Sequence, residues 1–466
     1  MDSDITYPYV DQLLLTDNMH DHSQPPLKKH KKLSSSSATH NNVIIPDDII
    51  SNILKRLPVK SLLRFKCVSR DWWHMIKSAW FIDMHRLHSH HRPDGVKVLA
   101  TTVQHTTRRQ KIIRRDQYFL LVDPEGNSMP VPHPMVGSVW VRPPNDRDSQ
   151  AGVEGLICFK DMVWNPTTRK TFHLPAQYFN VPLNRGGGLN RYKFENSDYL
   201  GFDSSTKQYK VLSICAGCRA KSRLRKKYTS HSKRIEFLRG MFQMQVITLE
   251  GAKSSWRDIT HHIPGEAIKD MTLMWSPISP NLYLKDEIYI LVGYPEYLAL
   301  MVFSVGQETF RFIHLPKEIK HAEARWWVMI EVSECVGLMM VDADTAGIEI
   351  WRLINTVNTS SIHHNKAAAV AREEWQKITY TAWPTNLYHP KISNPESLRE
   401  PFVRCAIGNT ENLVQTVNEG GTEYYFSYWD IRQRVVKEAP TKLQEILQRY
   451  YIFSKHVETL FDPEFP

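Results

Sequence analysis

Residues 45–72 read IPDDIISNILKRLPVKSLLRFKCVSRDW. Ile45, Ile49, Ile53 and Leu57 recur every four residues, and Ile50 and Leu54 fill the adjacent row. That is the apolar stripe of a helix. Pro46 suits the first turn, where its missing N–H costs nothing. Asp47 and Asp48 sit at the positive end of the helix dipole, Lys55 and Arg56 at its negative end. Pro58 ends the helix, because it disfavours helical backbone at Leu57. A second helical pattern runs through Leu62, Leu63, Phe65 and Val68. Ser69 or Asp71 is placed to cap a third, carrying Trp72, Trp73 and Ile76. Three such short helices are too small to bury all these side chains among themselves, so part of the apolar surface needs a cover. Either the rest of the chain or a separate partner supplies it.

From about Val96 onward the pattern becomes short β-segments on one plan: an apolar-aromatic strand, a polar turn, then a second strand. The clearest hairpins are 199–212, 301–313 and 425–436; looser versions run over 246–259 and 341–378. Recurrence of one hairpin unit over most of a chain marks a repeat architecture. Each hairpin is amphipathic and cannot bury itself; radial stacking of four-stranded blades solves that and leaves only short edges exposed. The expected fold is therefore α+β and multidomain: three helices, then an all-β, propeller-like domain. Spacing is too irregular to fix the blade count.

With 466 residues, 42% hydrophobic and 23% charged, the chain can bury a core and is not disordered overall. Residues 1–42 differ, with a Ser run, Pro25-Pro26 and few core formers, and read as a disordered tail. The formal charge of +10 is concentrated in two places: Lys28, Lys29, Lys31 and Lys32, and eight Lys or Arg between Arg219 and Arg234. The rest is slightly acidic, so this is not the basic face of a nucleic-acid-binding domain. Lys28, Lys29, Lys31 and Lys32 have the form of a nuclear-import signal, or of a solubilising run. The 219–234 segment reads as an exposed loop. No apolar run approaches a membrane span, and the acidic Met1-Asp2-Ser3-Asp4 start lacks a secretion pattern. Six scattered Cys read as reduced, intracellular thiols. Together these place the protein in the nucleus, the cytoplasm or both.

Residues 44–76 resemble the F-box, carried by the stretch quoted above. The remainder resembles the F-box-associated domain found behind many plant F-boxes. The matching pieces are Gly155 to Cys158, Val163 to Lys170, Leu174-Pro175, Gly201-Phe202-Asp203, Tyr209-Lys210-Val211 and Val457 to Leu460. The resemblance implies an F-box over 43–88 and a β-domain over 96–463. It further implies a substrate receptor of a Skp–cullin–F-box ubiquitin ligase that does no bond chemistry itself. The F-box would bind a Skp-type adaptor, and through it a cullin, while the β-domain selects a protein substrate. On the motif positions, Pro46, Ile49, Ile53, Leu57, Pro58, Leu62, Phe65, Val68 and Trp72 are the candidate adaptor contacts; Ile50, Leu54 and Cys67 are expected to hold the helices together. Two alternatives remain open: an adaptor-binding scaffold acting outside ubiquitination, and a small-molecule-binding propeller tethered by its F-box.

Other signals are weaker. Cys215-Ala-Gly-Cys218 is a lone CxxC, and a structural zinc site needs two further ligands, so no metal is expected. His85, His88, His90 and His91 read as a solvated helix end or linker. No Walker motif, Rossmann fingerprint, GxSxG or HExxH occurs, so neither a catalytic residue nor a cofactor is expected. Arg185-Gly-Gly-Gly188 reads as a flexible turn.

Overall fold

The computed structural model describes residues 45–92, 95–108, 111–122, 128–131, 152–159, 162–179, 192–219, 242–250, 254–262, 281–294, 297–319, 327–342, 347–357, 371–380, 403–406, 412–419, 423–430, 435–443 and 451–462. The chain divides into two compact units, Met1–Pro46 and Asp47–Pro466. Of the first, only Ile45 and Pro46 are described, and both are exposed. The tail, the Lys28–Lys32 cluster, the Arg185–Gly188 turn and the basic segment beyond Arg219 lie outside the described residues.

The second unit opens with four helices, one more than the sequence suggests: α1 (Asp47–Leu54), α2 (Val59–Phe65), α3 (Arg70–Lys77) and α4 (Ala79–Ser89). Ser69 caps α3, its Oγ accepting the Trp72 N–H at 3.1 Å. Ser78 ends α3 and caps α4 at once, its Oγ accepting the Phe81 N–H at 3.3 Å. One serine is all that separates the two helices, so no loop composition marks the fourth. The α1 stripe stops at Leu54 rather than Leu57, where the Leu57 N–H donates to the Leu54 carbonyl at 3.0 Å in a tighter turn.

Strands follow in chain order. β1 (Val96–Arg108), β2 (Lys111–Val122) and β3 (Ser128–Val131) belong to the first sheet. β4 (Ile157–Phe159), β5 (Met162–Trp164) and β6 (Thr171–His173) form a three-stranded second. The third holds β7 (Tyr192–Asp203), β8 (Gln208–Arg219), β9 (Phe242–Thr248) and β10 (Arg257–Asp258). The fourth holds β11 (Leu282–Leu284), β12 (Glu287–Tyr294), β13 (Tyr297–Ser304) and β14 (Thr309–His314). The fifth holds β15 (Val328–Val332), β16 (Cys335–Asp342), β17 (Gly347–Val357) and β18 (Ala371–Tyr380). The sixth holds β19 (Val403–Ala406), β20 (Asn412–Glu419), β21 (Glu423–Asp430) and β22 (Val435–Leu443). Finally β23 (Tyr451–Val457) returns to the first sheet and pairs antiparallel with β1, Val96 opposite Val457.

The expected hairpins are present as β7–β8, β13–β14 and β21–β22, and the looser ones as β9–β10 and β17–β18. Their turns follow a common grammar. Arg169, Lys207 and Glu308, each just before a returning strand, have left-handed φ of 63°, 60° and 57°. Asn165 and Asp203 open two of these turns, each Oδ1 accepting backbone N–H groups two and three residues on. Lys285-Asp286 and Ser333-Glu334 are two-residue turns with both φ positive, as a hairpin's twist demands, though neither contains the usual Gly or Asn.

Apolar packing joins the second sheet through the fifth. Val163, Leu200, Phe202, Tyr209 and Val211 join the second sheet to the third. Leu212, Met244, Ile288 and Phe303 join the third to the fourth, and Leu291, Val302, Met329 and Leu338 join the fourth to the fifth. Contacts continue from β15 to β19 and from β19 to β23. No helix among the described residues is long and apolar enough to cross a membrane.

Candidate partner interface and the joint behind it

The four helices have a small core: Leu54, Val59, Leu62, Ile76 and Phe81, with Ile50, Leu57, Phe65, Trp72 and Met75 packed around it. Phe65 and Trp72 meet edge-on, centroids 5.5 Å apart. The candidate contacts divide accordingly. Pro46, Ile49, Ile53 and Val68 face solvent, with Ile49 at 45% exposure, Ile53 at 53% and Val68 at 60%. Leu57, Pro58, Phe65 and Trp72 are half-buried. Leu62 is fully buried, so its side chain holds the helices together and offers a partner nothing. Cys67, expected inside, is exposed. Trp73, named in the third helical pattern but not among the candidate contacts, and Trp80 are further exposed aromatics. An open hollow of about 550 Å³ is lined by Lys66, Cys67, Ser69, Arg70, Trp73 and His74.

Behind the helices lies a polar joint to the sheets. Arg86 donates to Asp83 at 2.6 Å and to Glu154 at 2.7 Å, with its guanidinium 4.5 Å from the centre of the Phe202 ring. His90 Nε2 donates to the same Glu154 oxygen at 2.7 Å. The Glu154 carbonyl accepts the Tyr209 hydroxyl at 2.8 Å. Burial alone would raise the Glu154 carboxyl, but His90 and Arg86 outweigh it and hold it at about 2. Arg92 donates to the Leu57 carbonyl at 2.9 Å and to Glu458 at 2.7 Å. His85 is fully buried, its Nε2 3.0 Å from the Leu57 carbonyl. A carbonyl only accepts, so Nε2 carries the proton. The histidines expected in a solvated linker are thus partly structural: desolvation of His85 lowers its pKa and keeps the ring neutral.

Two glycines permit the close approach. A Cβ on Gly95 would lie 2.2 Å from the Ser89 carbonyl oxygen. Gly155, with φ of +86°, lies against the Val457 carbonyl at 2.3 Å by the same measure. Most of the quoted domain motifs converge here. Asn165 both shapes its own turn and donates to the carbonyls of Thr459 at 3.0 Å and Phe461 at 2.9 Å. Sequence reasoning misses Arg86, Arg92, Glu154 and Glu458 as a set, because single charges far apart in the chain carry no spacing signal.

Cys215 is buried in β8, opposite Asn196, and Cys218 lies further along the strand opposite Lys193. Burial pushes the Cys215 thiol up to about 11. Among the described residues, no cluster of three or more His, Cys, Asp or Glu side chains could hold a metal ion.

Residues 44–82 match the F-box domain family, and residues 144–442 match the F-box associated beta propeller domain family. F-box protein At5g65850 of Arabidopsis thaliana is 25% identical over 461 residues, 93% of this chain and 94% of that protein. F-box/LRR-repeat protein At2g40920 of the same plant is 25% identical over 441 residues, 91% and 86% of the two chains. The chain belongs to the plant F-box proteins with a C-terminal F-box-associated domain. The general role of that class is to recruit substrates to Skp–cullin–F-box ligases.

Proposed function

We propose that this chain is a non-catalytic substrate receptor that binds a Skp-type adaptor through residues 43–88, joins a cullin through that adaptor, and holds a protein substrate on residues 96–463. One observation carries the adaptor half. Ile49, Ile53 and Val68 are each at least 45% exposed on a small helical module whose core is filled by Leu54, Leu62, Ile76 and Phe81 together with Leu460. Large aliphatics presented to water beside a finished core fit a surface kept for a partner. Each buried aliphatic contributes roughly 1.5–3 kcal/mol, so a few suffice.

For the β-region we propose a six-bladed propeller. Six sheets in chain order among the described residues, apolar cores linking the second through the fifth, contacts from β15 to β19 and from β19 to β23, and the return of β23 to the first sheet support it. A ring closed by strands from both ends of the repeat leaves no large edge open. The Lys28–Lys32 cluster supports import into the nucleus, so we place the receptor there and in the cytoplasm.

The test uses Ile49→Asp with Ile53→Asp in the full chain. Both side chains are exposed, so folding is unaffected, whereas Leu57 variants would also disturb the core. Adaptor affinity should fall by about 2 kcal/mol per anchor, as for central hydrophobic contacts in general. Undiminished co-purification of adaptor with a folded double variant would reject the reading.

A further inference from the structure

The residues just after β23 reach into the helical module. Glu458 accepts the Val59 N–H at 3.3 Å across 399 positions of sequence. Val59 opens α2, and its preceding residue, Pro58, supplies no side-chain cap. The same Glu458 oxygen takes Arg92 Nη2 at 2.7 Å, while Arg92 Nη1 holds the Leu57 carbonyl that precedes α2. Leu460, 4% exposed, is a member of the helical core beside Leu54, Val59, Leu62, Ile76 and Phe81.

On its other side the segment is fixed to the sheets. The Glu458 N–H donates to the Gly95 carbonyl at 3.0 Å, and Asn165 clasps the carbonyls of Thr459 and Phe461. Thr167 Oγ1 lies 2.7 Å from His456 Nε2, and Phe461 packs on Tyr209 with centroids 4.5 Å apart. β23, immediately before it, is held by β1.

We infer that the helical module is completed from the far end of the chain by residues 456–461, so that its adaptor-competent form exists only after β23 has closed the first sheet. The inference rests on the adaptor reading above. Four short helices enclose little apolar surface, and such modules lean on added staples. Without Leu460 their core has a gap, and without Glu458 the Arg92 charge and the Val59 N–H lose a partner they share at low exposure. A receptor interrupted before residue 456, or one whose β-region has not closed, would then fail to occupy adaptor. Ligase scaffolds would be spared receptors unable to hold a substrate.

The experiment uses the full chain with Glu458→Ala and, separately, Leu460→Asp. Hydrogen exchange of α2 and α3 is measured without adaptor, and affinity for purified Skp-type adaptor is measured alongside. Glu458→Ala should speed α2 exchange about tenfold and weaken adaptor binding by a similar factor, as loss of a buried hydrogen-bonded charge implies. Leu460→Asp should abolish binding, with β12–β14 still protected. If Leu460→Asp unfolds the sheets as well, Glu458→Ala decides alone. Unchanged α2 exchange in Glu458→Ala overturns the inference. Failure of the wild-type chain to bind adaptor, with exchange responding as expected, overturns the adaptor reading instead and leaves the helix–sheet coupling standing.

Discussion

Glu154 is the residue on which the joint turns, because one carboxylate oxygen serves both Arg86 and His90. Its folded pKa of about 2 lies below the ordinary 4.5, so its stabilisation is complete above pH 4.5 and is lost as pH falls toward 2. The difference is on the order of 3 kcal/mol. His85 acts higher on the scale: burial lowers its pKa from 6.5, so stability also declines as pH falls below 6.5 and the unfolded ring takes a proton. Urea midpoints followed down the pH scale should therefore drop in two stages, and Glu154→Gln should shrink the lower stage, which it shares with Asp203, also held at about 2, while lowering the neutral-pH midpoint. A lower stage of unchanged size in Glu154→Gln would assign it to other carboxylates such as Asp203. Thiol chemistry separates two other residues. At pH 8 a thiol titrating near 11 is only ~0.1% thiolate. Maleimide should therefore label exposed Cys67 at least ~100-fold faster than buried Cys215 in the native protein, and equal rates would show that β8 opens readily.

At the level of elements, caps decide where the helices begin. Ser69→Ala removes the acceptor of the Trp72 N–H and should cost about 1 kcal/mol, read as a lower unfolding midpoint with the sheets unaltered. No shift in midpoint would mean that α3 is held by packing alone. That cap is legible in the sequence, as are the α1 stripe and the recurring hairpins, since each is a local pattern with a period of 3.6 or 2 residues. The fourth helix is not: Ser78 serves two helices, and α4 buries His85 and Arg86 rather than a clean apolar stripe. Turns at Lys285-Asp286 and Ser333-Glu334 escape notice for a related reason, because they adopt left-handed backbone without Gly or Asn. Leu62 is expected on the free face and lies inside, because a motif position says which residues recur, not which side of a helix finds a core first. Exposed Trp73 and Trp80 carry no signal of their own, because an aromatic in an amphipathic helix ordinarily points inward.

Across the whole molecule, helices and sheets are one compact unit from Asp47 onward. Arg86 on α4 touches Glu154, which leads into the second sheet, and Phe202 on β7, so opening α4 exposes charges that the sheets had satisfied. The slowest amides of α4 and β8 should accordingly exchange with protection factors within about tenfold of one another, as one cooperative unit does. An α4 that exchanges about a thousandfold faster would show the helices to be an independent appendage. None of this is readable from composition or period: the joint is made by Gly95, the Glu154-Gly155 pair and Glu458, far apart along the chain and meaningful only once β23 has returned to β1. The scattering sets a rule for recombining receptors. Grafting residues 45–92 of this chain onto a foreign β-domain leaves Arg86 with Asp83 but without Glu154, strips Arg92 of Glu458, and leaves the helical core open where Leu460 entered. A workable chimera must carry three separated pieces together, the helices through Gly95, the Glu154-Gly155 turn and the stretch from His456 to Phe461, so the natural cut between receptor and hook does not coincide with any single position in the sequence.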